Sequence, residues 1–265
     1  MSNQSRREAL RAQQRAQAEA ARKKRIITVA AVVIGLVVLL GGGGFLIFSN
    51  RDSIGAKSDV PPNANQDASG IIVNPGKAKA GAPVVVVYQD YQCPWCKTFD
   101  EALGPKFLAK ANAGDIQLEY HTMTFLDINL RNNSSTRAGV AAACSDAAGV
   151  YAAYHDVIYA NQPTSEGVGY SDLQLRTTFA ADAGITGDKL VQFQRCYDNQ
   201  SMAGFVKGTN EKAGRAGVTG TPTYFVNGKD VTKQLDYRDP TTAVSYTHLR
   251  AHETDSYLVC RLLLE

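Results

Sequence analysis

The chain of 265 residues is 44% hydrophobic and 20% charged, a composition that excludes a fully disordered or fibrous protein and fits one or two folded units. Its formal net charge of +3 is unevenly placed: residues 1–25 carry +6 and the other 240 sum to −3. A slightly acidic folded part has no broad basic face for phosphates, which argues against nucleic acid as a partner.

Residues 1–25 read as a basic tail. Residues 26–48 form an uncharged run rich in Val, Ile and Leu, and about 20 apolar residues suffice to cross a bilayer as a helix. The basic cluster flanks only the N-terminal side of this run. The positive-inside rule therefore predicts a single-pass membrane protein with a cytoplasmic N-terminus and an extracytoplasmic remainder. The length of the basic and apolar segments favours an uncleaved signal anchor over a cleaved signal peptide. Residues 49–70, with Pro61-Pro62 and many Asp, Asn and Ser, read as a flexible linker.

Ile71-Ile72-Val73 is a short first strand, stopped by the turn signal Asn74-Pro75-Gly76. Val84 to Tyr88 is a continuous β-branched run ending in Gln89-Asp90, the pattern of a strand buried on both faces. Ile116, Leu118 and Tyr120 alternate with Gln117, Glu119 and His121, which predicts a strand with one face to solvent and places Glu119 there. Residues 131–160 and 171–206 are Ala-rich with helical spacing. Thr223 to Val226, followed by Asn227-Gly228, predicts a further strand and a hairpin. The element order is α/β with a block of helices inserted before the last strands. His155 reads as a partly exposed helix residue and His121 as a strand-face residue.

Five cysteines are present: Cys93, Cys96, Cys144, Cys196 and Cys260. Cys93-Pro94-Trp95-Cys96 follows the buried strand directly and opens a segment that reads as a helix up to Gly114. A cysteine at a helix N-terminus faces unpaired N–H groups and the positive end of the helix dipole, which favour the thiolate. Cys93 is thus the expected nucleophile. Cys96, one turn on, is placed to resolve a mixed disulfide. A bare pair of this spacing also resembles half of a zinc site, but no second close pair accompanies it, so no metal is expected. Cys144 and Cys196 lie singly in two helical stretches; in an oxidising space they either pair structurally or stay as buried thiols.

Tyr88-Gln89-Asp90-Tyr91-Gln92-Cys93-Pro94-Trp95-Cys96, followed by Gly217-Val218-Thr219-Gly220-Thr221-Pro222-Thr223-Tyr224-Phe225-Val226-Asn227-Gly228-Lys229, resembles the DsbA-like branch of the thioredoxin superfamily, in particular the membrane-anchored disulfide oxidoreductases of actinobacteria. The resemblance covers roughly Ile71 to Ala243. It implies a thioredoxin fold with a helical insertion at about 125–209, behind one N-terminal transmembrane helix. It also implies that Pro222 is a cis-proline facing the active site, that Thr221 presents its backbone to substrate, and that Cys144 pairs with Cys196. Trp95 is expected at an exposed, substrate-facing surface.

The chain departs from the family pattern in three places. Pro94-Trp95 replaces the Pro-His dipeptide of the enterobacterial oxidase, and that dipeptide tunes the potential. Val87 stands where many relatives carry a buried acid, with Glu119 as the alternative supplier. Residues 244–265, which include Cys260, resemble an artefactual translation of vector or adaptor DNA and are read as a non-native tail.

The function expected is an enzyme, a thiol:disulfide oxidoreductase that introduces disulfides into secreted or cell-envelope proteins without a cofactor. A membrane reoxidant of the DsbB or vitamin K epoxide reductase type is its implied partner. The alternatives are a reductase or isomerase on the same fold and a non-catalytic thioredoxin-like binding module. The sequence leaves the oligomeric state open.

Overall fold

The computed structural model describes residues 59–239 together with 241 and 242. The predicted membrane span and the residues from 243 onward lie outside them. Among the described residues no helix is long and apolar enough to cross a membrane.

A five-stranded sheet forms the centre, ordered β1 (Ile71–Ile72), β3 (Gln117–Thr122), β2 (Val84–Gln89), β4 (Thr223–Val226), β5 (Lys229–Asp230). β2 runs parallel to β3 and antiparallel to β4, so the β-branched run Val84 to Val87 occupies the middle of the sheet. Successive side chains of a strand point to opposite faces. Val85 and Val87 share one face with Tyr120 and Tyr224, against α1 (Pro94–Ala113), whose Phe99 and Phe107 lie on the Tyr224 ring. Val86 and Tyr88 share the other face with Glu119, His121 and Phe225, where a smaller cluster of Met123, Ala213 and Val218 packs.

β3 departs from the predicted alternation. Both of its faces are covered, and Glu119 is 5% exposed, where a solvent-facing acid was expected. Its carboxylate is satisfied internally: Asn65 Nδ2 and Gln117 Nε2 donate to it at 2.7 Å each, and His121 Nε2 lies at 3.1 Å. This cover comes partly from the segment expected to be a flexible linker. From residue 59 that segment is tied down: Asn63 donates through its backbone and side chain to Asp146, both at 2.8 Å, and Ala64 bridges Ile71.

Between β3 and β4 the chain forms α2 (Phe125–Leu130), α3 (Ser134–Ala147), α4 (Tyr151–Ala160), a π-turn at Gln174–Thr178, α5 (Phe179–Asp182), α6 (Gly187–Asp198) and α7 (Ala203–Arg215). The two long helical stretches are each broken at a glycine with positive φ, Gly149 at 80° and Gly184 at 82°. That backbone state is open to glycine at little cost and ends a helix. α3 is buried along most of its length, and its Ala-rich sequence lets α4, α6 and α7 approach closely. Cys144 of α3 and Cys196 of α6 are joined by a disulfide, with an S–S distance of 1.99 Å and Cα atoms 5.9 Å apart.

Candidate active site

The site forms where β2 ends and α1 begins. Cys93 is the N-cap of α1, in extended backbone conformation, and Pro94 takes the first helical position, where a missing N–H costs nothing. The turn Asp90-Tyr91-Gln92 that delivers Cys93 is buried throughout. It is held from the helical layer: Gln162 Nε2 donates to the carbonyls of Tyr91 (2.8 Å) and Cys93 (3.1 Å), and the Tyr170 hydroxyl donates to Tyr91 O at 2.8 Å. Within the turn, Cys93 N–H donates to Asp90 O at 2.9 Å.

Cys93 and Cys96 are both free thiols. Their environments pull their acidities apart. The Cys96 thiol donates to Cys93 and is the main cause holding Cys93 down at about 6, against partial burial that works the other way. The Thr221 side chain and the N–H groups of Cys96 and Trp95 at the helix start also favour the Cys93 anion. Cys96, 2% exposed, is pushed well above the usual thiol range by burial and by the neighbouring Cys93.

The turn before β4 closes the site from 128 residues further along the chain. The Thr221-Pro222 peptide bond is cis, and Cys93 Sγ lies 3.5 Å from Thr221 O. The Thr221 hydroxyl is buried beside the two cysteine sulfurs and has no other hydrogen-bond partner among the described residues. Trp95 is 57% exposed, with its ring edge-to-face on Tyr237 at 5.9 Å. Cys93, Cys96, Trp95, Thr221 and Pro222 are therefore brought together, whereas Cys144 and Cys196 sit in the helical layer.

Glu119 does not replace the acid missing at Val87. Val87 faces α1 on the side of the cysteines, and Glu119 is on the opposite face of the sheet. Two other acids near the cysteines escaped the sequence reading. Asp90 is wholly buried, and burial raises its carboxyl to about 7. Asp100 lies one turn after Cys96 on α1 and is also raised by burial. The polar pair Gln89-Asp90 after a run of valines was visible in the sequence, but it read only as the end of a strand.

His155 is likewise not the partly exposed residue expected. It is 1% exposed, stacked on Tyr120 at 4.3 Å, with Nε2 at 3.0 Å from Gln89 Oε1. A cavity of about 250 Å³ beside it is lined by Asp100, Tyr120, Asp156 and Tyr159 among others. Asp100, His155 and Asp156 bring one ligand atom each within 4.8 Å of one another, the one group among the described residues that could hold a metal ion.

A thioredoxin family model matches residues 73–245, more than half of the chain. No curated protein matches the sequence. Among solved structures, the MdbA thiol-disulfide oxidoreductase of Corynebacterium diphtheriae is similar at a TM-score of 0.57 and 20% identity, over 74% of this chain and 96% of that one. DsbA of Mycobacterium tuberculosis is similar at 0.55 and 23% identity, over 68% and 90%. BdbD of Bacillus subtilis is similar at 0.55 and 20% identity, over 74% and 98%. With a sheet of this order, a cysteine pair at the start of the helix after its central strand, and a cis-proline turn against the first cysteine, the chain belongs to the thioredoxin family and has a DsbA-like fold.

Proposed function

We propose that this protein is a thiol:disulfide oxidoreductase that donates its Cys93–Cys96 disulfide to secreted or cell-envelope proteins, anchored in the membrane by residues 26–48 with the catalytic domain outside the cytoplasm. The observation that carries the reading is the split between the two thiols, one lowered to about 6 at a helix start and one buried and raised. A low-pKa thiolate is a stable leaving group, and stabilising it stabilises the reduced enzyme, which makes its disulfide more oxidising.

In the proposed reaction a substrate thiolate attacks Cys93 Sγ. The Cys93–Cys96 bond breaks and Cys96 leaves as a thiolate, which takes up a proton in its buried site. A second substrate thiolate then attacks the substrate sulfur of the mixed disulfide. Cys93 leaves as a thiolate, so the substrate has lost two electrons and the enzyme has gained them. Thr221 and Pro222 would hold the substrate chain across the sulfur, with Trp95 offering an apolar surface beside it. Return to the disulfide needs an electron acceptor, for which a membrane reoxidant of the DsbB or vitamin K epoxide reductase type is the partner we propose.

The direction is tested by the equilibrium reduction potential against glutathione, with the Cys93 thiolate titrated in the same sample. A potential near the ~−120 mV of DsbA supports the oxidase. A value near the ~−270 mV of thioredoxin overturns it in favour of a reductase.

A further inference from the structure

Asp90 touches both cysteines through its main chain. Its N–H lies 3.5 Å from Cys96 Sγ, and its carbonyl accepts Cys93 N–H at 2.9 Å and the Tyr159 hydroxyl at 3.4 Å. Its carboxyl grips the same turn from the other side. Oδ1 accepts Gln92 N–H at 2.9 Å and the Ser135 hydroxyl at 2.6 Å, and Oδ2 faces Leu126 N–H at 3.4 Å. All three neighbours of the carboxyl are donors. Ser135 already accepts from Gln92 Nε2 at 2.8 Å, so it can accept from a protonated Asp90 only by turning its own hydrogen away from Oδ1. Protonating Asp90 therefore either sets a donor against Leu126 N–H or turns the Ser135 bond around, and each weakens the hold of α2 or α3 on the turn.

A fold that needed only an acceptor here could use asparagine and avoid burying a charge. We propose that Asp90 is a positioning residue for the cysteine pair. Its ionised form fixes the turn that presents Cys93, and its protonation releases that turn, so thiol exchange requires a second ionisation besides that of Cys93. The groups facing it are Gln92 and the two cysteines from the turn and α1, Asp127 and Leu126 from α2, Ser135 from α3, Tyr159 from α4 and Tyr170 from the segment after it. Burial is the main cause raising its carboxyl to about 7, and the charge of Asp127 adds to it. The release then falls within the range in which Cys93 itself ionises.

The proposal concerns the site to which the functional reading assigns thiol exchange. It is tested by the rate at which the full-length reduced protein reacts with a small disulfide, dipyridyl disulfide, as pH is varied. Wild type is expected to show a slope of log rate against pH near two below about pH 6, one unit for each ionisation. Asp90→Asn has no proton to lose and, like the protonated acid, sets a donor among the donors of Gln92, Ser135 and Leu126. It should return a slope near one and react more slowly than wild type at about pH 8, where the wild-type carboxyl is mostly ionised. Asp90→Ala, with no grip on the turn, should react slowly at every pH. Should that variant not fold, the wild-type and Asp90→Asn slopes still decide.

Thermal unfolding supplies a readout that a merely structural acid would move the other way. A folded-state pKa above the unfolded value gives stability that is present below about pH 4 and lost as pH rises through 7. Asp90→Asn should therefore melt higher than wild type at about pH 8. A wild-type slope of one, matching Asp90→Asn from pH 5 to 8, overturns the proposal. Failure of the protein to oxidise a dithiol peptide while the two-proton slope persists overturns the functional reading and leaves the role of Asp90 standing.

Discussion

Cys93 and Cys96 lie three residues apart on the first turn of one helix, whereas Cys144 and Cys196 lie 52 residues apart in two helices that the disulfide holds together. In the first pair, polar contacts stabilise one thiolate and burial disfavours the other, an asymmetry suited to opening and closing the bond. In the second pair, Cys144 is fully enclosed and Cys196 partly buried, and the bond between them is closed across two helices. Local electrostatics, more than exposure, separate a cysteine pair suited to exchange from one that ties two helices, since the chemical group is the same in both and all but Cys196 are buried.

The sharpest way to break this comparison is to remove one member of each pair. Cys93→Ser should abolish dithiol peptide oxidation while leaving the melting temperature close to wild type; residual turnover would show that Cys96 can act alone. Cys144→Ala with Cys196→Ala should do the reverse. The chain-entropy model for a loop of this length gives a loss of about 3 to 4 kcal/mol in denaturant unfolding, with activity kept below the new transition. Equal activity losses in the two experiments would erase the distinction drawn here.

A smaller effect tests the cause of the asymmetry. Cys96→Ala removes the hydrogen bond that does most to lower Cys93, so the Cys93 pKa should rise from about 6 toward the free value of ~8.5, read from thiolate ultraviolet absorbance. A value that stays near 6 would transfer the credit to the helix N-terminus and Thr221. The smallest change is expected at Trp95. Trp95→Ala at this exposed position should alter stability by no more than about 0.5 kcal/mol, and should raise KM for an unfolded thiol substrate more than it lowers kcat.

Much of the frame was legible in the chain. The valine run of β2, the Thr223–Val226 strand with its Asn227-Gly228 turn, and a helix starting beside Cys93 all follow from short-range pattern. The errors share a different origin. Glu119 and His121 alternate with apolar neighbours, yet the segment from residue 59 and α7 cover the face on which they lie. Periodicity reports which residues share a face, and it cannot report that a distant segment will close over it. His155 was misjudged for the same reason: Gln89 from β2, Tyr91 from the turn after it and Tyr120 from β3 close over it.

The sequence by itself determined where a nucleophilic cysteine would stand, because a helix start and its aligned N–H groups are local properties of the chain. Only the tertiary structure decided how that cysteine is tuned and held. Thr221 and Pro222 arrive from 128 residues away, Cys144 meets Cys196 across the helical layer, and Asp90 is stripped of water by α2, α3 and α4. Desolvation and long-range hydrogen bonds depend on everything packed around a group, and no window of sequence contains that sum.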